Sequence, residues 1–122
     1  MNSIKKRQAR QNNRQVGSFY EQVASDYLEQ LGYHILERNY RCRLGEIDII
    51  GQDENYLVFI EIKYRHSTKC GLPRESVNYY KKKRILHVAH YYIMTHYKTE
   101  VACRFDVVEI LGEQLTHLKA AF

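Results

Sequence analysis

The segments GEIDII (45–50) and LVFIEIK (57–63) decide how this sequence is expected to fold. Both are apolar runs that carry charged residues at alternate positions, a pattern typical of β-strands. The residues between them, GQDEN (51–55), are polar and favour a tight turn. The pattern predicts a β-hairpin with a two-residue loop at Glu54–Asn55.

One face of this predicted hairpin is rich in charge. The loop would place Asp48 opposite Glu61 and Glu46 opposite Lys63, and all four side chains would project from one face because strand side chains alternate. With a three-residue loop or a bulge, the charged side chains of one strand would instead project from the opposite face to those of the other strand. The opposite face would be filled by Ile47, Ile49, Val58, Ile60 and Ile62.

The surroundings of these charges leave two interpretations open. An edge hairpin with a solvated face would also show alternating acids and lysines. However, Ile50, Leu57 and Phe59 would share the charged face, and this mixture favours a pocket at a partly buried edge.

Carboxylates beside an ammonium group suggest a divalent-metal site for phosphate chemistry. Mg²⁺ or Mn²⁺ can activate water and stabilise a leaving oxygen, and Mg²⁺ prefers oxygen ligands while keeping several waters. We expect Asp48 and Glu61 to be direct ligands and Lys63 to orient the attacking water or stabilise charge on the phosphate. Glu46 would bind a second metal or hold Lys63. The alternative for Lys63 is an ordinary cross-strand ion pair with Glu46.

The hairpin and its lead-in NYRCRLGEID (39–48) resemble the YraN-like family of small bacterial proteins. The segments GLPRESVNYYKKKR (71–84) and RFDVVEI (104–110) match as well, so the resemblance runs from about residue 17 to residue 110. The family is placed in the PD-(D/E)XK nuclease superfamily, whose members include restriction endonucleases and Holliday-junction resolvases. The resemblance implies nuclease-type chemistry but leaves the substrate open.

The same resemblance assigns expected roles to further residues. It makes the Ile62 carbonyl a third metal ligand and Glu21 an acid on the first helix that faces the metal, although a solvated helix charge would look the same. Lys81 matches the family's helix lysine and would reach a phosphate. Lys81 and Arg84 on the second helix, with Arg43 and Arg65 beside the hairpin, are the expected nucleic-acid contacts.

Apolar periodicity predicts the remaining elements. The predicted order is αβββαβ(β), an α/β fold in which helices flank a mixed sheet. This order agrees with the restriction-endonuclease-like core that the resemblance implies. A first helix follows the stripe from Val16 to Leu31, and its apolar positions include Tyr20, Ala24 and Leu28. The other predicted elements are strands at 33–43, 102–110 and 114–120 and a helix over 74–97.

Length and charge predict one domain and a basic tail. The 122 residues are 44% hydrophobic, which suits a single domain over 16–122. Residues 1–15 hold five basic residues and no acid, which accounts for the net charge of +5. This segment is predicted to be disordered, and it would serve either as a solubilising arm or as a contact for nucleic-acid phosphates.

Other signals limit the possible classes of function. The three cysteines, Cys42, Cys70 and Cys103, lack metal-ligand spacing, which predicts reduced thiols. The polar N-terminal segment and the absence of a long apolar run predict a cytoplasmic protein without a membrane span. Together with the carboxylate pattern, the resemblance implies a metal-dependent endonuclease acting on DNA, with branched and single-stranded DNA as candidate substrates. The rivals are a non-catalytic nucleic-acid-binding module and a protein-interaction adaptor. A homodimer is expected if paired strands are cleaved.

Overall fold

The computed structural model describes residues 3–65 and 79–122, with side chains from Arg14 onward. The described chain is an α/β fold in which two helices flank a five-stranded mixed sheet, the architecture of a restriction-endonuclease-like core. The elements are α1 (Ser3–Gln30), β1 (His34–Cys42), β2 (Gly45–Asp53), β3 (Tyr56–Arg65), α2 (Tyr79–His96), β4 (Cys103–Leu111) and β5 (Gln114–Leu118). The strands lie side by side in chain order; β3 and β4 run parallel, and the other neighbours run antiparallel. This order confirms the predicted fold class.

The helix bounds differ from the predicted ones. α1 begins at Ser3, before the apolar stripe that starts at Val16, and so includes most of the segment predicted as a tail. The division into tail and domain stays a prediction. α2 extends from Tyr79 to His96, and its predicted first turns lie outside the described residues, as does Cys70.

Gly32 lies at the C-terminal end of α1. Its φ of 98° lies in the left-handed region that glycine adopts without a steric penalty. This conformation lets the Tyr33 N–H donate to the Leu28 carbonyl at 2.9 Å, which satisfies one of the last carbonyls of the helix. The chain then turns directly into β1.

The hairpin between β2 and β3 has the predicted loop. Asp53 pairs with Tyr56, so Glu54–Asn55 is a two-residue turn, and Glu54 has the positive φ of 53° typical of such turns. The backbone pairing continues as far as Ile49 and Ile60.

Two hydrophobic clusters cover the two faces of the sheet. The α1 side holds Tyr20, Ala24, Leu28, Tyr33, Ile49, Val58, Ile60, Ile62, Val108 and Ile110. The α2 side holds Ile47, Ile50, Leu57, Phe59, Ile85, Val88, Ala89 and Tyr92. The prediction that Ile47 shares a face with Ile49 was wrong, because Ile47 packs in the cluster beneath α2. β3 is therefore covered on both faces, which explains its continuous apolar run.

The start of β2 lies against α2, and Gly45 makes this approach possible. Its φ is 144°, and a Cβ added there would lie 3.1 Å from Arg84 side-chain carbons and 3.2 Å from Val88. We expect Gly45→Ala to lower the free energy of unfolding by about 1–3 kcal/mol, because both backbone strain and contact with α2 oppose the substitution. Urea denaturation measures this loss.

Gly112→Ala is the matched control for this substitution. Gly112 also has a positive φ, 61°, but an added Cβ would meet nothing within 4 Å. It therefore measures backbone strain without a collision. Equal losses in the two variants would contradict a close approach of β2 to α2.

Candidate active site

A cavity of about 560 Å³ opens between β1, β2, β3 and α2. It is lined by Arg41, Cys42, Gly45, Glu46, Asp48, Glu61, Lys81, Arg84 and Ile85. The structure therefore brings together three of the predicted carboxylates with Lys81 and Arg84, which are distant from the hairpin in sequence. The lining also includes Arg41, which belongs to the NYRCRLGEID segment that leads into the hairpin.

The end of the β2–β3 ladder positions Asp48. Beyond Ile49 and Ile60 the backbone pairing stops, and the Ile62 N–H donates to Asp48 Oδ2 at 2.8 Å. Since the N–H and C=O of one strand residue point toward the same neighbouring strand, the Ile62 carbonyl also faces β2. This arrangement places the third predicted ligand beside Asp48.

Asp48 and Glu61 form a close pair of carboxyl groups. Glu61 is buried and Asp48 is half-buried. Burial and the negative charge of Glu61 raise the pKa of Asp48 to about 7, although the hydrogen bond from Ile62 acts in the opposite direction. Two carboxylates that cannot easily be charged together are the kind of group that a bound cation stabilises.

Two lysines meet at Glu61. Lys81 Nζ lies 2.8 Å from Glu61 Oε1, and Lys63 Nζ lies 3.3 Å from the same oxygen. Burial and the neighbouring Lys81 lower the pKa of Lys63. Burial alone would lower the pKa of Lys81 too, but its hydrogen bonds to Glu61 and Lys63, together with the charges of Glu61 and Asp48, outweigh this effect and raise it.

Glu46 has a different partner from the one considered in the sequence. Arg41 Nε donates to Glu46 Oε2 at 2.9 Å, and both side chains are largely exposed. The alternative of an ion pair between Lys63 and Glu46 is therefore wrong, because Lys63 contacts Glu61. Glu46 lies at the mouth of the cavity, beside the closer pair of carboxyl groups.

Glu21 lies on α1, where it contacts Asn39 of β1. Asn39 Nδ2 donates to Glu21 Oε2 at 3.0 Å, and the charge of Glu21 makes a small contribution to the raised pKa of Asp48. Glu21 does not line the cavity. Sequence reasoning missed Asn39, whose φ of 55° is a conformation that asparagine adopts more readily than most residues.

The other predicted basic residues are spread around the hairpin. Arg43 is exposed in the turn between β1 and β2, outside the cavity lining. Arg65 ends β3, where its carbonyl accepts a hydrogen bond from the Gly112 N–H. Of the four predicted nucleic-acid contacts, only Lys81 and Arg84 line the cavity.

The donor set fits a magnesium ion. The carboxylates of Asp48 and Glu61 and the carbonyl of Ile62 would supply oxygen ligands, which Mg²⁺ prefers. Among residues 3–65 and 79–122, no group of three or more His, Cys, Asp or Glu side chains is placed to hold a metal. Two carboxylates are sufficient for Mg²⁺ because it keeps several of its waters.

A second polar cluster lies apart from this cavity. The fully buried carboxylate of Asp106 accepts hydrogen bonds from Arg104 at 2.9 Å and from Tyr33 at 3.1 Å, and it lies 2.7 Å from His117 Nε2. Arg104 also reaches Asp53 at 3.0 Å. The cluster therefore connects the segment between α1 and β1, where Tyr33 lies, with β2, β4 and β5.

Comparison with known proteins identifies relatives along most of the chain. The model of "Uncharacterised protein family UPF0102" matches residues 20–110. A UPF0102 protein of Lachnoclostridium phytofermentans is 46% identical over 112 residues, which cover 91% of this chain and 95% of the relative. One from Clostridioides difficile is 44% identical over 113 residues, covering 91% and 99% of the two chains. One from Caldicellulosiruptor bescii is 52% identical over 100 residues, covering 81% and 84%.

In the described part of the chain, neither helix is long and apolar enough to cross a membrane. The family match covers both strands of the hairpin, all of α2 and nearly all of β4. It thus includes Glu21, Glu46, Asp48, Glu61, Lys63 and Lys81. On these matches the chain belongs to the UPF0102 family, the YraN-like family that its hairpin sequence resembles.

Proposed function

We propose that this protein is a metal-dependent nuclease that hydrolyses phosphodiester bonds in DNA. The observation that carries the proposal is the pairing of Asp48 with Glu61 at the end of the β2–β3 ladder, with Lys63 and Lys81 on Glu61. The basic side chains of Arg41 and Arg84 line the same cavity, where they would attract a phosphate. A homodimer stays a prediction.

Asp48, Glu61 and the Ile62 carbonyl would hold Mg²⁺ or Mn²⁺. When bound, the ion supplies Lewis-acid activation of water and of the phosphoryl group. The hydrogen bond from Ile62 fixes the Asp48 carboxylate in place, and the rigid central strand β3 fixes Glu61. Preformed ligands of this kind lower the cost of ordering the site.

The lysines would act on the phosphate. Lys63 projects from β3 two residues beyond Glu61, and its side chain is only 14% exposed. An ammonium group in such a poorly solvated position stabilises developing negative charge more strongly than it would in water. Lys81 approaches the same carboxylate from α2 and would contact a neighbouring phosphate oxygen.

One observation favours the alternative of a binding module without turnover. Glu61 Oε1 is contacted by two ammonium groups, which together can neutralise the carboxylate that a metal would need. Direct measurement of metal binding and of DNA cleavage separates the two functions.

Thermal unfolding with and without Mg²⁺ or Mn²⁺ tests the metal site. We expect the melting temperature of the wild type to rise with metal concentration, because a ligand that binds only the folded state stabilises it. Asp48→Asn should largely abolish this rise. Without metal it should be at least as stable as the wild type, since it removes a like-charge contact with Glu61.

Asp26→Asn is the matched control. Asp26 is exposed on α1, where it accepts a hydrogen bond from Gln22, and the variant should keep the full metal-dependent rise. An equal rise in Asp48→Asn and the wild type would remove Asp48 from the metal site. A cleavage assay on labelled linear, flapped and four-way DNA then tests the activity itself.

A further inference from the structure

Helix α2 has an unusual composition. Its 18 residues, Tyr79–His96, include four lysines or arginines, three histidines and four tyrosines but no aspartate or glutamate. The four lysines and arginines all lie in its first two turns, next to the cavity. The helix therefore carries a positive charge that no acid of its own compensates.

One row of exposed side chains follows this helix. Tyr80, Arg84, His87 and Tyr91 are spaced by four, three and four residues, so they lie on the same side of an α-helix. All four are exposed, with Tyr80 75% and Tyr91 40% accessible. The buried residues of α2, Ile85, Val88, Ala89 and Tyr92, lie on the other side. We refer to these four exposed residues as the α2 row.

The charge in and beside the α2 row is available to a partner. Lys81 is occupied with Glu61, and Lys82 lies 5.6 Å from the centre of the Phe122 ring. Within the described part of the chain, Lys83 and Arg84 form no ion pair. Arg84 also lines the cavity, so the α2 row continues directly into the candidate active site.

We propose that the α2 row binds single-stranded nucleic acid and leads it to the cavity. Unpaired bases would stack on the rings of Tyr80 and Tyr91, and Arg84 between them would contact the phosphates, as His87 could by hydrogen bonding. The row is about 16 Å long at 1.5 Å per residue, enough for a few nucleotides. The part of this proposal in which the bound strand leads to the cavity rests on the proposed nuclease function.

The chemistry of the α2 row favours an unpaired strand over two other occupants. In a duplex the bases are stacked on one another, so exposed tyrosine rings gain little from it. Protein interfaces are depleted in lysine at their centres, whereas the exposed Lys83 lies directly beside Arg84 of the row. Alternating rings and cations suit a chain of bases and phosphates.

Fluorescence anisotropy with a labelled oligothymidine in EDTA tests this inference without any cleavage. We expect Tyr80→Ala/Tyr91→Ala to weaken binding by about tenfold or more, because stacking contributes strongly for each base. The matched control Tyr80→Phe/Tyr91→Phe keeps both rings and should bind like the wild type. A labelled oligouridine should show the same difference if the site accepts RNA as well as DNA.

A salt titration tests the role of Arg84. Arg84→Gln should reduce the slope of log affinity against log salt by about 0.7, the value for one phosphate contact on a single strand. Lys119→Gln removes one charge from an exposed position after β5 and should leave the slope unchanged. Circular dichroism melting of every variant shows that the fold is retained.

Two results would overturn the inference. One is oligothymidine affinity that is equal in the alanine variant and the phenylalanine variant. The other is tighter binding of duplex DNA than of oligothymidine, with affinities that do not change when both tyrosines are substituted. Failure of the proposed nuclease function looks different, because oligonucleotide binding would then depend on the tyrosines while no DNA is cleaved.

Discussion

Lys63→Ala should lower the rate of single-turnover DNA cleavage by on the order of 10²-fold or more, with a much smaller loss of DNA binding. The reason is that Lys63 Nζ lies 3.3 Å from Glu61 Oε1 in a poorly solvated position, where it would act chiefly on charge that develops in the transition state. Cleavage is measured on labelled DNA with Mg²⁺ or Mn²⁺, and binding is measured in Ca²⁺.

Two further variants sharpen this comparison. Lys63→Arg keeps the charge and should retain part of the rate, while Lys98→Ala removes an exposed lysine after α2 and should not change it. A similar loss in binding and rate for Lys63→Ala would make Lys63 a binding residue only. Wild-type protein that binds DNA but cleaves no more than Asp48→Ala/Lys63→Ala would favour the binding module.

Asp106→Ala should lower the free energy of unfolding by about 3–5 kcal/mol, the usual cost of removing one partner from a buried ion pair. Asp106 is completely buried, and the substitution would leave Arg104 and His117 without their main acceptor. Urea denaturation at neutral pH measures the loss. Asp26→Ala, at an exposed position on α1, should cost far less.

The same carboxylate should make the stability of the protein depend on pH. Burial alone would raise the pKa of Asp106, but hydrogen bonds from His117, Arg104 and the Ala120 N–H hold it well below its usual range. Because the pKa is lowered in the folded state, the stabilisation by the Asp106 carboxylate is complete above the pKa of about 4 that Asp has in the unfolded chain. The stabilisation declines as the pH falls below that value. The free energy of unfolding of Asp106→Ala should therefore depend less on pH in the acid range than that of the wild type. An unchanged pH dependence would contradict this role of Asp106.

Local patterns predicted the hairpin well. Alternating charge, apolar runs and the Glu54–Asn55 turn were sufficient for the loop and the register, because both depend on residues close in sequence. Ile47 was assigned to the wrong cluster for a physical reason. It lies beyond the last β2–β3 pair, where β2 leaves β3 and passes beneath α2.

Long-range partners were predicted less completely. The resemblance gave Lys81 an expected contact with a phosphate, but its contact with Glu61 was not predicted, because that contact depends on how the helix packs on the sheet. Likewise, Asp106 and Arg104 lie two residues apart on β4 and so share a face of the strand. The contribution of Tyr33, 73 residues away, could not be predicted without the topology.

The hydrogen bond from Ile62 to Asp48 makes one amide proton a probe of the site. This N–H belongs to the central strand, but its acceptor is the carboxylate expected to hold the metal. Any ion that withdraws electron density from that carboxylate weakens the acceptor and shifts the amide resonance of Ile62. Nuclear magnetic resonance of this single backbone group can therefore report occupancy of the site without substrate, turnover or a label.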